Sequence, residues 1–283
     1  MDVPGRLVLL LAVLAAALVA ETLAPLRRPT QPRVRRAAVN LALAAVGAVA
    51  IRLLFFPVVL GVARDVSARG WGLIGWLGLR GPAATLLALV LFDYTLYFWH
   101  RANHRWGFLW RFHGVHHADL DLDVTTASRF HAGELALSTG WRSFQILLIG
   151  ADPFALALFE TLVTLSAQLH HANVRLPIGL ERGLHAALVT PRMHGIHHSI
   201  VQRETDSNFS TILNVWDRLH KTMRSNVPQA ELTIGVPAYR EPGRVGFWRS
   251  LVLIPIESPP WLLPDGASPE RRGTPGPATT LAA

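Results

Sequence analysis

Thirteen histidines, all between His100 and His220, set the chemistry open to this chain. Eight of them fall in three boxes: His100-x3-His104, His113-x2-His116-His117 and His194-x2-His197-His198. Residues three and four apart on a helix share a face, so each box can aim two or three imidazoles at one point. Eight converging neutral imidazoles make a strong site for one or two transition metals. The boxes are interleaved with Trp99, Trp106, Trp110, Phe112 and Phe130, which marks an ordered core rather than a solvated, low-complexity metal buffer. The 283 residues include no cysteine. That excludes disulfides, thiolate zinc sites, cysteine-ligated iron–sulfur clusters and a thiol nucleophile, so any metal is held by nitrogen and oxygen.

The elements that must position these boxes are apolar. Hydrophobic residues make up 51% of the chain and charged residues 16%, and the mean hydropathy is +0.30; a soluble domain carries about 25% charged residues. Membrane insertion accounts for the difference. Five stretches are candidate membrane helices: about Leu7–Leu26, Ala37–Ala63 (with Arg52 inside and Pro57 as a kink), Pro82–Trp99, Leu135–Ile149 and Pro153–Leu169. The last two are separated by the turn signal Gly150-Ala151-Asp152-Pro153 and form a hairpin. Arg52 is read as marking a helix boundary, because a charge at membrane depth is costly.

Net charge is +8, nearly all of it Arg, with Lys221 the only lysine. No module for reading bases is visible, so nucleic acid is not an expected partner. The run Arg27, Arg28, Arg33, Arg35, Arg36 follows the first apolar stretch instead of preceding it, which argues for a membrane helix over a secretory signal and sets that loop on the cytoplasmic side. Counting from there, all three boxes land on the cytoplasmic face, so the expectation is a bacterial inner-membrane protein with its metal site facing the cytoplasm. The expected fold is all-α, an integral membrane helical bundle of about four to five membrane helices capped by a cytoplasmic helical His-rich metal domain. Residues 1–81 hold the N-terminal membrane helices and an interfacial loop (64–81, with Trp71 and Trp76), 82–225 the histidine-bearing core, 226–263 a C-terminal surface segment and 264–283 a disordered tail.

The motifs also resemble a known family. Asp93-x3-Tyr97-x2-His100-Arg101-x2-His104 and Trp110-Arg111-Phe112-His113-x2-His116-His117 are followed by Arg129-Phe130-His131-x2-Glu134 and His171-x-Asn173-Val174. The series closes with His194-x2-His197-His198, Glu204-Thr205-Asp206-Ser207-Asn208-Phe209 and Trp216-Asp217-Arg218-Leu219. Over about residues 90–222 this is similar to the fatty acid hydroxylase/sterol desaturase superfamily. The resemblance implies a membrane-embedded non-haem diiron oxygenase, with two Fe ions, that uses O2 and electrons from a partner to hydroxylate or desaturate a lipid; zinc is compatible with the same donors in purified samples. It implies His100, His104, His113, His116, His117, His194, His197 and His198 as ligands, with one more from His170 or His171; His171 fits the His-x-Asn pattern better. Ala132 stands where the family usually has Pro, and His220-Lys221-Thr222 where it has Phe-Gly-Thr; these departures bear on substrate and local packing.

Around the boxes, Asp93 lies two helical turns before His100 and could orient a ligand imidazole through its second nitrogen. Asp217 and Asn208 are similar candidates, and His131 with Glu134 could approach the metals or brace the fold. His185 and His220 read as surface histidines. The chain has no Rossmann fingerprint, haem-attachment motif or ferredoxin cysteines, so an external donor (ferredoxin, cytochrome or reductase) is expected. The alternatives are a membrane divalent-metal transporter, whose ligands would sit near the bilayer midplane, and a zinc-dependent membrane hydrolase, whose His-Glu-x-x-His signature is absent.

Overall fold

A computed structural model of the chain describes residues 3–271. The fold is helical, with no named strand among the described residues. Among the described residues, three segments are long and apolar enough to cross a membrane: Pro4–Leu23, Arg33–Trp76 and Gly81–Arg105. Only 11%, 17% and 22% of their most apolar windows are buried within the protein, so most of that apolar surface is left for lipid.

Helix α1 (Val3–Leu23) runs into a loop that leads to α2 (Arg33–Ala50). α2 begins four residues before the sequence pattern places it. Positive charge in a first helical turn opposes the helix dipole, and here Arg36 is paired with Asp119 and Asp123 while Arg33 is paired with Glu21. The helix continues through a π-helical segment, Ile51–Phe55, into α3 (Phe56–Arg69). Pro57 explains the π turn: proline lacks an N–H and its ring crowds the carbonyl four residues back, so the ladder shifts, and the Phe56 N–H bonds the Ile51 carbonyl. Arg52 is exposed inside this continuous helix and does not mark a boundary, contrary to expectation.

The expected loop 64–81 is also more helical than its composition suggests. α3 runs to Arg69, Gly70 stops it in the left-handed conformation (φ 65°), and α4 (Gly72–Trp76) follows, with Trp71 and Trp76 exposed. α5 (Gly81–Arg105) returns and is followed by α6 (Gly107–His117).

Helices α7 (Ala132–Ile149) and α8 (Pro153–His171) form the anticipated hairpin. Gly150 ends α7 at φ 84°, and the Asp152 carboxylate caps α8 by accepting from the Ala155 N–H. Neither helix meets the length-and-apolarity standard of the three spans. The reason lies in their packing: Ile146, Ile149, Leu156 and Phe159 enter a core with Val59, Val66 and Phe92, while Arg142 pairs with Glu160 (2.8 Å) and bonds Gln145. Faces turned to protein can carry paired charge that faces turned to lipid cannot.

Short helices complete the histidine-bearing end: α9 (Ile178–His185), α10 (Pro191–His197), α11 (Gln202–Thr205), α12 (Val215–Leu219) and α13 (Ile254–Glu257). Segment 226–263 sends Val236, Tyr239 and Ile254 into a second core with Leu43 and Trp110. Residues 264–271 include Arg271, which pairs with Glu204 and Glu231. The rest of the tail expected to be disordered lies outside the described residues.

Candidate metal centre

The second and third histidine boxes are each divided between two clusters, and the first enters one of them whole. His100, His104, His113, His117 and His197 form one, and His116, His171, His194 and His198 the other; within each, one nitrogen per ring lies within 4.8 Å of all the others. Helical geometry explains the division. In α6, His113 and His117 are one turn apart and face the first cluster, while His116 lies to the side and faces the second. In α10 and its C-cap the sense is reversed: His194 and His198 enter the second cluster and His197 the first. The α5 pair His100 and His104 joins the first, and His171 at the end of α8 joins the second. Thr190, whose hydroxyl accepts from the Met193 N–H, caps α10, and Pro191 starts it.

The rings are oriented mostly by main-chain atoms. His100 Nδ1 lies 2.8 Å from the Phe209 carbonyl, His197 Nδ1 2.7 Å from that of Ser207, and His171 Nδ1 2.8 Å from that of Ala167. His113 Nδ1 lies 2.9 Å from the Glu134 carboxylate. A carbonyl only accepts, so Nδ1 of His100 and of His197 carries the proton and each neutral ring presents a bare Nε2. Those two Nε2 atoms face each other at 3.1 Å. Two lone pairs at that distance repel unless a cation lies between them. Nε2 of His113 and of His117, both buried, likewise lack any protein partner.

Burial, reinforced by the neighbouring imidazoles, holds His116, His117, His194, His197 and His198 well below the usual histidine range, so these donors are neutral and free for a metal. The donor set fits transition-metal ions. With metal–nitrogen bonds of roughly 2.1 Å, an N···N distance of 3.1 Å subtends roughly 95°, nearer an octahedral than a tetrahedral angle. Five donors in the first cluster also exceed the four of a tetrahedral zinc site.

Other predicted positions fall elsewhere. His170 is buried and lies against the His194 ring at a tilt but belongs to neither cluster; adjacent residues on a helix point about 100° apart, and His171 takes the inward direction. Asp93 touches no imidazole: it accepts from the Ile212 and Leu213 N–H groups and the Trp216 indole. Asp217 accepts from the Phe209 and Ser210 N–H groups and the Thr222 hydroxyl, and Asn208, at φ 56°, bonds the main chain of Met193 and Arg224. Both shape the loop whose carbonyls orient His100 and His197, so they act on the rings through the main chain and not by direct contact. His131 caps α7, with Nδ1 accepting from the Gly133 N–H and Nε2 bonded to the Leu251 carbonyl. Only its neighbour Glu134 reaches a clustered ring. His185 is not a surface residue, being buried against Ser225, and His220 is half-buried and stacks on Tyr97. The orienting carbonyls of Ala167, Ser207 and Phe209 carry no signal in residue type, since every residue has a carbonyl; the left-handed Asn208 is the nearest legible trace.

The family profile described as Fatty acid hydroxylase matches residues 85–222. Ornithine lipid hydroxylase OlsE of Rhizobium tropici is 33% identical over 152 residues, 53% of this chain and 45% of that protein. Human alkylglycerol monooxygenase is 27% identical over 47% of this chain and 29% of its own length, and human cholesterol 25-hydroxylase 26% over 50% and 51%. The match thus spans about half or less of these relatives. No solved structure matches the chain. Residues 85–222, which carry all nine clustered imidazoles, match the fatty acid hydroxylase family.

Proposed function

We propose that the chain is a membrane-bound non-haem diiron oxygenase that hydroxylates or desaturates a lipid, using O2 and electrons from a separate donor. The observation that carries this reading is the pair of adjoining all-imidazole clusters, five rings and four, beside the ends of membrane-length helices. The relatives' names supply the substrate class: ornithine lipid, alkylglycerol and cholesterol are lipids, and each relative is a hydroxylase or monooxygenase. Neither transport nor hydrolysis is among those activities.

His100, His104, His113, His117 and His197 would hold one iron, and His116, His171, His194 and His198 the other. Iron bound there supplies the reduction of O2 and the oxidising power to attack an unactivated C–H bond. The chain's own contribution is position. Glu134 fixes the His113 ring, the Phe209 and Ser207 carbonyls fix His100 and His197, and burial of the rings keeps bulk water from the donors. The lipid chain enters sideways from the bilayer. The arginine-rich loop after α1 supports a cytoplasmic position for this end of the protein, in what we read as a bacterial inner membrane. Arg101, Arg105 and Arg111 present a basic surface to an acidic ferredoxin, cytochrome or reductase; reversing their charge is expected to slow electron transfer to the metal centre, and an unchanged rate removes that docking surface.

The test of the whole reading is lipid mass spectrometry of cells expressing the chain against cells expressing His113→Ala with His194→Ala. The active chain is expected to shift one lipid class by about +16 or −2 mass units in an O2-dependent way. Identical lipid profiles, with iron bound in the unaltered chain and donors present, refute it.

A further inference from the structure

Away from both histidine clusters, a cavity of about 130 Å³ opens where α1 ends and α2 begins. Its lining contains five arginines (Arg27, Arg28, Arg33, Arg36 and Arg240) against three carboxylates. The carboxylates are already engaged. Glu21 accepts from the Val124 and Asn173 N–H groups and pairs with Arg33. Asp121 accepts from the Thr30 and Gln31 N–H groups and the Thr30 hydroxyl. Asp123 accepts from Thr125 and pairs with Arg36 at 2.8 Å.

Arg33 and Arg36 are therefore neutralised within the protein, whereas Arg27, Arg28 and Arg240 are not paired with any of these acids. Arg27 is the most telling. It is 9% exposed, its Nη1 donates to Gln229 Oε1 at 2.6 Å, and its Nε and Nη2 have no protein partner. A buried guanidinium with two unused donors is costly unless an anion meets it. Arg28 is exposed, and Arg240 donates one nitrogen to the Ile234 carbonyl at 2.8 Å. The location narrows the source of the anion: both flanking segments, Pro4–Leu23 and Arg33–Trp76, have membrane-spanning character, which puts the cavity at headgroup depth.

We propose that this cavity binds the oxyanion of an anionic lipid headgroup, a phosphate held by Arg27, Arg28 and Arg240. The guanidinium fork is suited to such a group because it offers paired donors to two oxygens at once. The site is also mechanically connected to the second cluster. A Cβ on Gly195, within the third histidine box, would lie 2.4 Å from Arg27 Nη1, so the guanidinium packs directly on α10.

The experiment uses the purified full chain in a neutral detergent, incubated with phosphatidylglycerol, with phosphatidylcholine or with inorganic phosphate, and native mass spectrometry of what stays bound. Retention of phosphatidylglycerol is expected to exceed that of phosphatidylcholine several-fold and to fall about tenfold in Arg28→Ala/Arg240→Ala, with a further loss in Arg27→Gln. Arg101→Ala/Arg111→Ala, which removes basic charge outside the cavity, is expected to retain the lipid as the unaltered chain does. Equal retention in the cavity double variant, an equal loss in the Arg101/Arg111 control, or binding of inorganic phosphate without any preference for the anionic lipid overturns the proposal. The double variant changes only residues at the cavity mouth, so the test stands even if Arg27→Gln fails to fold. None of these readings depends on metal or turnover, so the oxygenase assignment can fail while this site stands, and the reverse.

Discussion

Two neighbouring residues, His131 and Glu134, separate scaffolding from metal chemistry at the finest scale. Both open α7, yet the imidazole caps the helix and the carboxylate reaches His113. Carboxylates behind ligand imidazoles fix ring orientation and raise donor basicity, and their loss commonly lowers metal affinity about 10- to 100-fold. Glu134→Gln is therefore expected to release bound metal at about tenfold lower chelator concentration while the helical signature stays unchanged. His131→Ala is expected to keep metal affinity and lose about 1 kcal/mol of stability, as other caps do. If the two variants behave alike in a chelator titration, the distinction between them is wrong.

At the scale of the element, α10 illustrates how tightly a short helix must be placed to serve two clusters. It is seven residues long and cannot hold its position by its own helical hydrogen bonds. Asn208 bonds the Met193 carbonyl, Gln229 bonds that of Arg192, and Arg192 pairs with Glu181 at 2.5 Å. Gly195 lets Arg27 lie against the helix. Gly195→Ala places a methyl 2.4 Å from Arg27 Nη1 and 2.9 Å from Gln229 Oε1, an overpacking expected to cost about 1–3 kcal/mol and to reduce bound metal by displacing His194 and His197. Gly140→Ala, in α7 with nothing within 4 Å of the new methyl, is expected to be neutral or to stabilise by about 0.5–1 kcal/mol. Thermal unfolding and metal content measured on the same samples distinguish the two; equal metal content in both variants would show that α10 tolerates displacement.

For the whole molecule, the join between membrane helices and histidine-bearing end is electrostatic. Asp119, 2% exposed, receives Arg36 at 2.7 Å and Asn40 at 2.8 Å, tying α2 to the segment after α6. Burial pushes the Asp119 carboxyl up, but the Arg36 charge and hydrogen bonds together with Arg129 outweigh it and pull it down to about 2. A carboxyl held below its unfolded value of about 3.9 stabilises the fold fully above that pH and loses the effect as pH falls toward 2, a contribution of about 2 kcal/mol. The unfolding midpoint of the full chain is expected to drop between pH 4 and pH 2, and Asp119→Asn to be less stable at neutral pH with a flatter acid profile. Parallel acid profiles for the two proteins would remove Asp119 from this join.

The sequence by itself determined the donor type, the pairing of imidazoles one helical turn apart, the exclusion of thiolate chemistry and the apolar spans, because each follows from residue identity or from a repeat of three to four residues. It did not determine which cluster each ring enters, why His171 and not His170 turns inward, or that Asp93, Asp217 and Asn208 serve the main chain. Those outcomes depend on where separate helices meet: α5, α6, α8 and α10 are distant in sequence, and only their packing brings His100 within 3.1 Å of His197. The ring-orienting carbonyls are equally beyond a sequence reading, since a main-chain oxygen acquires a role only once the fold aims it.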